Sequence, residues 1–226
     1  MKRISLFLVV IFLATSIFTA CKKEEPSDNN SPKIIGVLIN GVVWSPFNVN
    51  ATGKFVDNPE DFGIYYQWNR KDTTDFVLCT DYVPTYYPSY WLSNNNPCPK
   101  DWRVPTLDEL KKLLDTEKVT SEWITENGIN GYRFTEKSSG NSIFLPAAGY
   151  INCYIGLLLD VSYQGNYWSS TADETNAHLL GFRAKDIVLV KPAHIPLLAI
   201  GQAVFLFVPL QKKTNKQVEK HKQGGV

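Results

Sequence analysis

The strongest local folding signal in the chain lies at residues 96–114, NPCPKDWRVPTLDELKKLL. Pro105 pushes the residue before it into an extended conformation. Thr106 is an N-cap candidate, and Glu109 stands three residues on, completing a capping box. Leu107, Leu110, Leu113 and Leu114 recur at helical spacing and define one apolar face. Asp108 and Glu109 fall in the first turn, and Lys111 and Lys112 fall later, as the helix dipole favours. These signals predict a helix over 107–115. A second short helix is expected over 119–127, ended by Gly128.

Around these helices the pattern is that of short strands. IIGVLINGVVWSPFNV alternates around Asn40-Gly41, which reads as two strands and a tight turn. NATGKFVDNPEDFG is turn-rich, and IYYQWNR has strand-like composition. Residues 71–96, with Pro84, Pro88 and three consecutive asparagines, read as a long surface loop, where binding functions tend to sit. GYRFTEKSSGNSIFLP reads as a hairpin turning at 138–141. AAGYI, GNYWSS, AHLLGFRA, DIVLV and GQAVFLFVP are further strand candidates. Helices in the middle with strands on both sides place the chain in the α+β class.

Residues 1–20 stand apart from the fold. Lys2 and Arg3 precede the apolar run ISLFLVVIFLATSIFTA and then Cys21, the layout of a secretory signal. The run sits near the lower limit of about 17 residues for a spanning helix, so a retained anchor is the alternative. FTAC resembles a bacterial lipobox, with Phe18 where leucine is usual. A cysteine there takes diacylglycerol on sulfur and a further acyl chain, such as palmitate, on its amine. Several chains at about 0.8 kcal/mol per buried CH₂ anchor firmly where one does not. A disulfide role is the alternative for Cys21. Residues 21–33, CKKEEPSDNNSPK, are polar and proline-bearing and read as a tether. CKKEE resembles the export signal that carries some lipoproteins of Bacteroides-type bacteria to the outer face of the outer membrane. The expected location is therefore the outer membrane, lipid-anchored and facing the exterior.

Residues 34–209 are enough for one domain with a sizeable core. Loss of Lys2 and Arg3 turns a formal charge of +1 into −1. No basic excess remains to attract nucleic acid. Cys79, Cys98 and Cys153 match no zinc or redox spacing. In an oxidising compartment any two could pair, leaving one thiol over. Residues 210–226 are Lys- and Gln-rich and lack a core pattern, as expected of a disordered tail.

Five segments, NGVVWSPFNV, PEDFGIYYQWNR, NPCPKDWRVPTLDEL, FLPAAGYI and GNYWSSTA, occur in an order that resembles the Fibrobacter succinogenes major paralogous domain family. The family comprises exported bacterial proteins, many of them lipoproteins. The resemblance covers roughly residues 36–205. It implies a compact C-type lectin-like domain, akin in fold to formylglycine-generating enzymes, with two short helices, small twisted antiparallel sheets and long loops. The family tends to close on an Arg-Cys-Val-like strand, whereas here Val204 is followed by Phe205, Leu206 and Phe207. If that absent cysteine is the usual partner of the Cys98 position, Cys98 is left unpaired. A changed reading frame near the 3′ end is one explanation, which resequencing would test.

Catalytic signals are sparse. Cys98 lacks a recognisable base, since His178 and His194 sit in no catalytic motif. Glu60-Asp61 and Asp108-Glu109 are sequence neighbours, which point apart. A calcium-dependent lectin signature is absent, and DNPED at 57–61 reads as a turn or a cation loop. No motif calls for a metal or cofactor. Trp44, Trp68, Trp102 and Trp168 are expected core residues. Tyr82, Tyr86, Tyr87, Tyr90 and Trp91 are the candidate ligand-binding residues, suited to stacking on sugars or anchoring a protein. The expected function is a lipid-anchored, non-catalytic surface module binding a glycan or protein through loops 71–96 and 160–175. A structural adhesin or pilus-associated subunit, or an enzyme acting on an extracellular polymer, are the alternatives.

Overall fold

Asn40 and Gly41 both adopt positive φ, 46° and 74°. Their turn joins β1 (Val37–Ile39) to β2 (Val42–Trp44), the geometry that suits the strand twist. Asn40 also ties the hairpin to the rest of the domain. Its backbone N–H donates to Glu136 Oε1 at 2.9 Å, and its Nδ2 donates to the Lys112 carbonyl at 3.0 Å. The latter satisfies a carbonyl at the helix C-terminus, where no intrahelical donor reaches.

The computed structural model describes residues 36–72, 88–173, 177–190, 200–203 and 208–209. All fall within one unit, Ile34–Val226. After β2 come β3 (Tyr65–Tyr66), a 3₁₀ turn (Ser93–Asn95), β4 (Trp102–Arg103) and α1 (Leu107–Leu113). The capping box is present: Thr106 Oγ1 accepts from the Glu109 N–H, and Glu109 accepts from the Thr106 N–H. Leu110 and Leu113 carry the buried face of the helix.

The second expected helix is a strand. β5 (Val119–Glu126) pairs along its whole length with β6 (Ile129–Glu136), from Val119↔Glu136 to Glu126↔Ile129. Val119, Thr120, Trp123, Ile124 and Thr125 are β-branched or aromatic, and fit a pleated surface better than a helix. Asn127 and Gly128, at φ 47° and 83°, form a two-residue hairpin turn. The glycine that looked like a helix stop is thus half of a strand reversal.

The chain continues through β7 (Ser142–Pro146), β8 (Tyr150–Asn152), β9 (Leu158–Leu159), β10 (Gln164–Ala172), β11 (Ala177–Arg183) and β12 (Asp186–Val190). β13 (Ile200–Ala203) and β14 (Val208–Pro209) close the described residues. The hairpin expected at 138–141 joins β6 to β7. Among the described residues five small sheets result, ordered β1-β2, β10-β11-β12, β3-β13-β8-β9, β14-β4 and β5-β6-β7. Every strand pair is antiparallel. Small antiparallel sheets with one α-helix define a mixed, β-rich fold among the described residues.

β10 divides the interior, because successive side chains of a strand leave opposite faces. Tyr167 lies in a core with Trp44, Leu110, Leu113, Phe134, Leu145, Leu180 and Phe182. Its neighbour Trp168 lies in a second core with Tyr66, Trp68, Trp91, Trp102, Val104 and Leu179. Across the ladder, Tyr167 pairs with Leu180 and Trp168 with Leu179, so both strands feed both cores. The four tryptophans expected inside are all buried, none more than 9% exposed.

Several polar atoms in these cores find partners on distant segments, although the buried Trp44 Nε1 has none. Trp68 Nε1 donates to the Ser169 carbonyl at 2.8 Å, and Trp168 Nε1 donates to the Tyr66 carbonyl at 3.0 Å. Each indole therefore clasps the backbone beside the other. Tyr167 Oη donates to the Pro146 carbonyl at 2.7 Å, and burial pushes its pKa well up. Such partners offset the desolvation of a buried donor.

Candidate functional site

The segment after Pro88 is stitched to the end of β10. Tyr90 bridges Thr171, the Trp91 N–H donates to the Ser170 carbonyl, and the Ala172 N–H donates to the Ser89 carbonyl. This pairing brings the end of the 71–96 loop against the 160–175 region. Between them and β4 lies a pocket of about 210 Å³, lined by Trp91, Leu92, Ser93, Asn96, Arg103, Val104 and Ser170.

Of the five aromatic candidates, Tyr82, Tyr86 and Tyr87 lie outside the described residues, as do Cys21 and Cys79. Tyr90 is 62% exposed and is not among the residues that line this pocket. Trp91 is only 9% exposed. Its ring meets Trp68 edge-on at 5.5 Å, and its Nε1 donates to the Asn95 carbonyl at 2.9 Å. It forms a pocket wall and a core filler together, rather than an exposed stacking platform.

Of the other walls, Leu92, Ser93, Asn96 and Ser170 lie in the two expected binding loops without having been singled out, whereas Arg103 and Val104 lie outside them. Arg103 is held by Glu109, with Nη2 to Oε1 at 2.6 Å and Nη1 to Oε2 at 2.9 Å. Both side chains are partly buried, at 28% and 15% exposure. Burial raises the Glu109 pKa, but the hydrogen bonds from Arg103 and Thr106 outweigh it and hold the carboxyl below its ordinary value. Asn96 Nδ2 donates to the Trp102 carbonyl at 2.8 Å, while its buried Oδ1 accepts no hydrogen bond. The only ionisable lining residue is thus already charge-paired.

Cys98 lies in the second core as a free thiol, 7% exposed. Burial raises its pKa well above the ordinary thiol value, against a weaker opposing pull from Arg103. It is a protonated core residue, not an activated nucleophile. Cys153 is disulfide-bonded, and its partner lies outside the described residues. The 57–61 stretch is a turn: Asn58 donates from N and Nδ2 to Asp61 Oδ2 at 3.0 and 3.2 Å. Among the described residues no group of three His, Cys, Asp or Glu could hold a metal ion. No helix among them is long and apolar enough to cross a membrane.

Comparison of the chain with protein-family models, with curated proteins and with solved structures returned no match.

Proposed function

We propose that this chain is a lipid-anchored, outward-facing surface protein whose domain binds a glycan or protein ligand without catalysis. The observation that carries the binding half is the pocket of 91–93, 96, 103–104 and 170. Its volume is below the roughly 300 Å³ at which drug-sized ligand pockets begin. It suits one ring or one side chain, not an extended polymer. Trp91, Leu92 and Val104 supply apolar walls, and two serines, Asn96 and Arg103 supply polar ones. Because Glu109 neutralises Arg103, the pocket favours a neutral, hydroxyl- or amide-bearing group over an acidic one. The lining contains no acid–base pair and no nucleophile with a base, which weighs for binding over turnover.

The lipid anchor rests on FTAC and the polar tether that follows. The C-type lectin-like architecture rests on the five ordered family-like segments, in keeping with small antiparallel sheets beside one capped helix.

A glycan array and a surface-protein pull-down with the mature chain test the pocket. Ser93 is exposed, so Ser93→Trp would obstruct the pocket without entering the core. Capture by the parent chain that is lost with Ser93→Trp supports the pocket. Capture unchanged by that substitution overturns it. Labelling with a fatty-acid analogue tests the anchor: Cys21→Ala should abolish it, and persistent labelling overturns the lipoprotein assignment.

A further inference from the structure

The hairpin of β8 and β9 ends in an apolar tip that the pocket does not use. Within five residues of one another, Tyr154, Ile155, Leu157 and Leu158 are 58%, 56%, 58% and 46% exposed. No charged residue occurs between Tyr150 and Leu159. The tip is a built turn. The Asn152 N–H donates to the Leu157 carbonyl at 2.9 Å, the Gly156 N–H to the Asn152 carbonyl at 2.7 Å, and the Tyr154 N–H to Asn152 Oδ1 at 2.9 Å. Beneath it, Cys153 is buried and disulfide-bonded. These ties display the apolar side chains on a fixed frame, where collapse onto the domain would otherwise hide them.

We propose that this tip inserts into the interfacial layer of the membrane that carries the protein. The chemistry of the four side chains fits that layer. Leucine and isoleucine enter the acyl boundary, and tyrosine keeps its hydroxyl at headgroup level. An uncharged tip carries no ion into the apolar region. The distance fits as well, a point that rests on the lipid-anchor assignment. The polar, proline-bearing composition of residues 21–33 is that expected of a tether, and a chain of that length would have a root-mean-square span of about 20 Å, short enough to hold the domain near the surface. At such an effective concentration a weak contact is well populated. Four side chains at one hairpin tip fall far short of the roughly 20–30 residues a side of a stable protein interface. A membrane therefore fits the tip better than a second copy does.

The test uses the chain from residue 21 with Cys21→Ser, which has no acyl anchor, and vesicles of phosphatidylethanolamine and phosphatidylglycerol in excess. Flotation should carry a measurable fraction of protein with the vesicles. Ile155→Asp with Leu157→Asp should lower that partition at least tenfold, with circular dichroism and the melting curve unchanged. No flotation above the vesicle-free control, or equal flotation of the double variant, overturns the proposal. So does a vesicle-independent dimer that the double variant abolishes. Loss of fatty-acid labelling in the unmodified chain would remove the anchor but leave this flotation result standing, so the two failures are distinguishable.

Discussion

Arg103 grips Glu109 through two parallel hydrogen bonds, 2.6 and 2.9 Å long. The same carboxylate accepts from the Thr106 N–H at 2.8 Å, so one side chain starts the helix and neutralises a pocket wall. Local helix chemistry and the charge of the candidate site are thereby linked.

Glu109→Gln should therefore lower stability by about 2 kcal/mol at neutral pH, since it weakens a charge-assisted pair and half of a capping box. The sign with pH follows from the depressed folded pKa. The contribution of Glu109 is complete above its ordinary value of 4.5 and disappears as pH falls through the lower folded value. Urea denaturation of both proteins should show the gap at pH 7 and its closure in acid. A gap that widens in acid would contradict this.

The reciprocal clasp of Trp68 and Trp168 predicts a graded response at position 168. Trp168→Ala should cost about 4 kcal/mol, the range for removing a large buried aromatic. Trp168→Phe should cost less, but still leaves the Tyr66 carbonyl without its donor. Val188→Ala, at a half-exposed position, should stay within about 0.5 kcal/mol. Thermal melts of the three variants give the order directly.

Gly149 and Gly140 separate backbone strain from collision. Both have positive φ, 73° and 76°. A Cβ on Gly149 would collide with the Leu159 carbonyl oxygen, whereas one on Gly140 would meet nothing within 4 Å. Gly140→Ala should cost about 1–2 kcal/mol for the left-handed backbone alone. Gly149→Ala should cost clearly more, because backbone at the β9 end must move. Equal losses in chemical denaturation would disprove the close approach.

Cys98 should resist a thiol reagent in the native protein and react once denatured, because it is free, buried and protonated. If Cys21 carries lipid, Cys79 is the cysteine left to partner Cys153. Non-reducing peptide mapping should then recover a Cys79–Cys153 link, and denatured, unreduced protein should titrate one thiol per chain. Rapid native labelling of Cys98 would contradict its burial.

What could be read from the chain is what short-range chemistry specifies. Thr106 and Glu109 are three residues apart, and their mutual hydrogen bonds need no other part of the protein. Asn40-Gly41 reverses the chain because these residues tolerate positive φ. The same rule applied to Asn127-Gly128 points to a hairpin, whereas Gly128 taken alone reads as a helix stop. Only pairing with β6 shows that this segment extends.

The sequence by itself determined the capped helix, two of the hairpins and four of the buried tryptophans. Tertiary structure alone decided which residues meet. Trp91 turned inward because Trp68 offers it an aromatic partner. Ser170 became a pocket wall through its pairing with Trp91, although the two stand far apart in the chain. Tyr167 and Trp168 went to different cores because β10 is covered on both faces. Capping and turn preferences act within a few residues, whereas burial depends on the surface that a distant segment supplies.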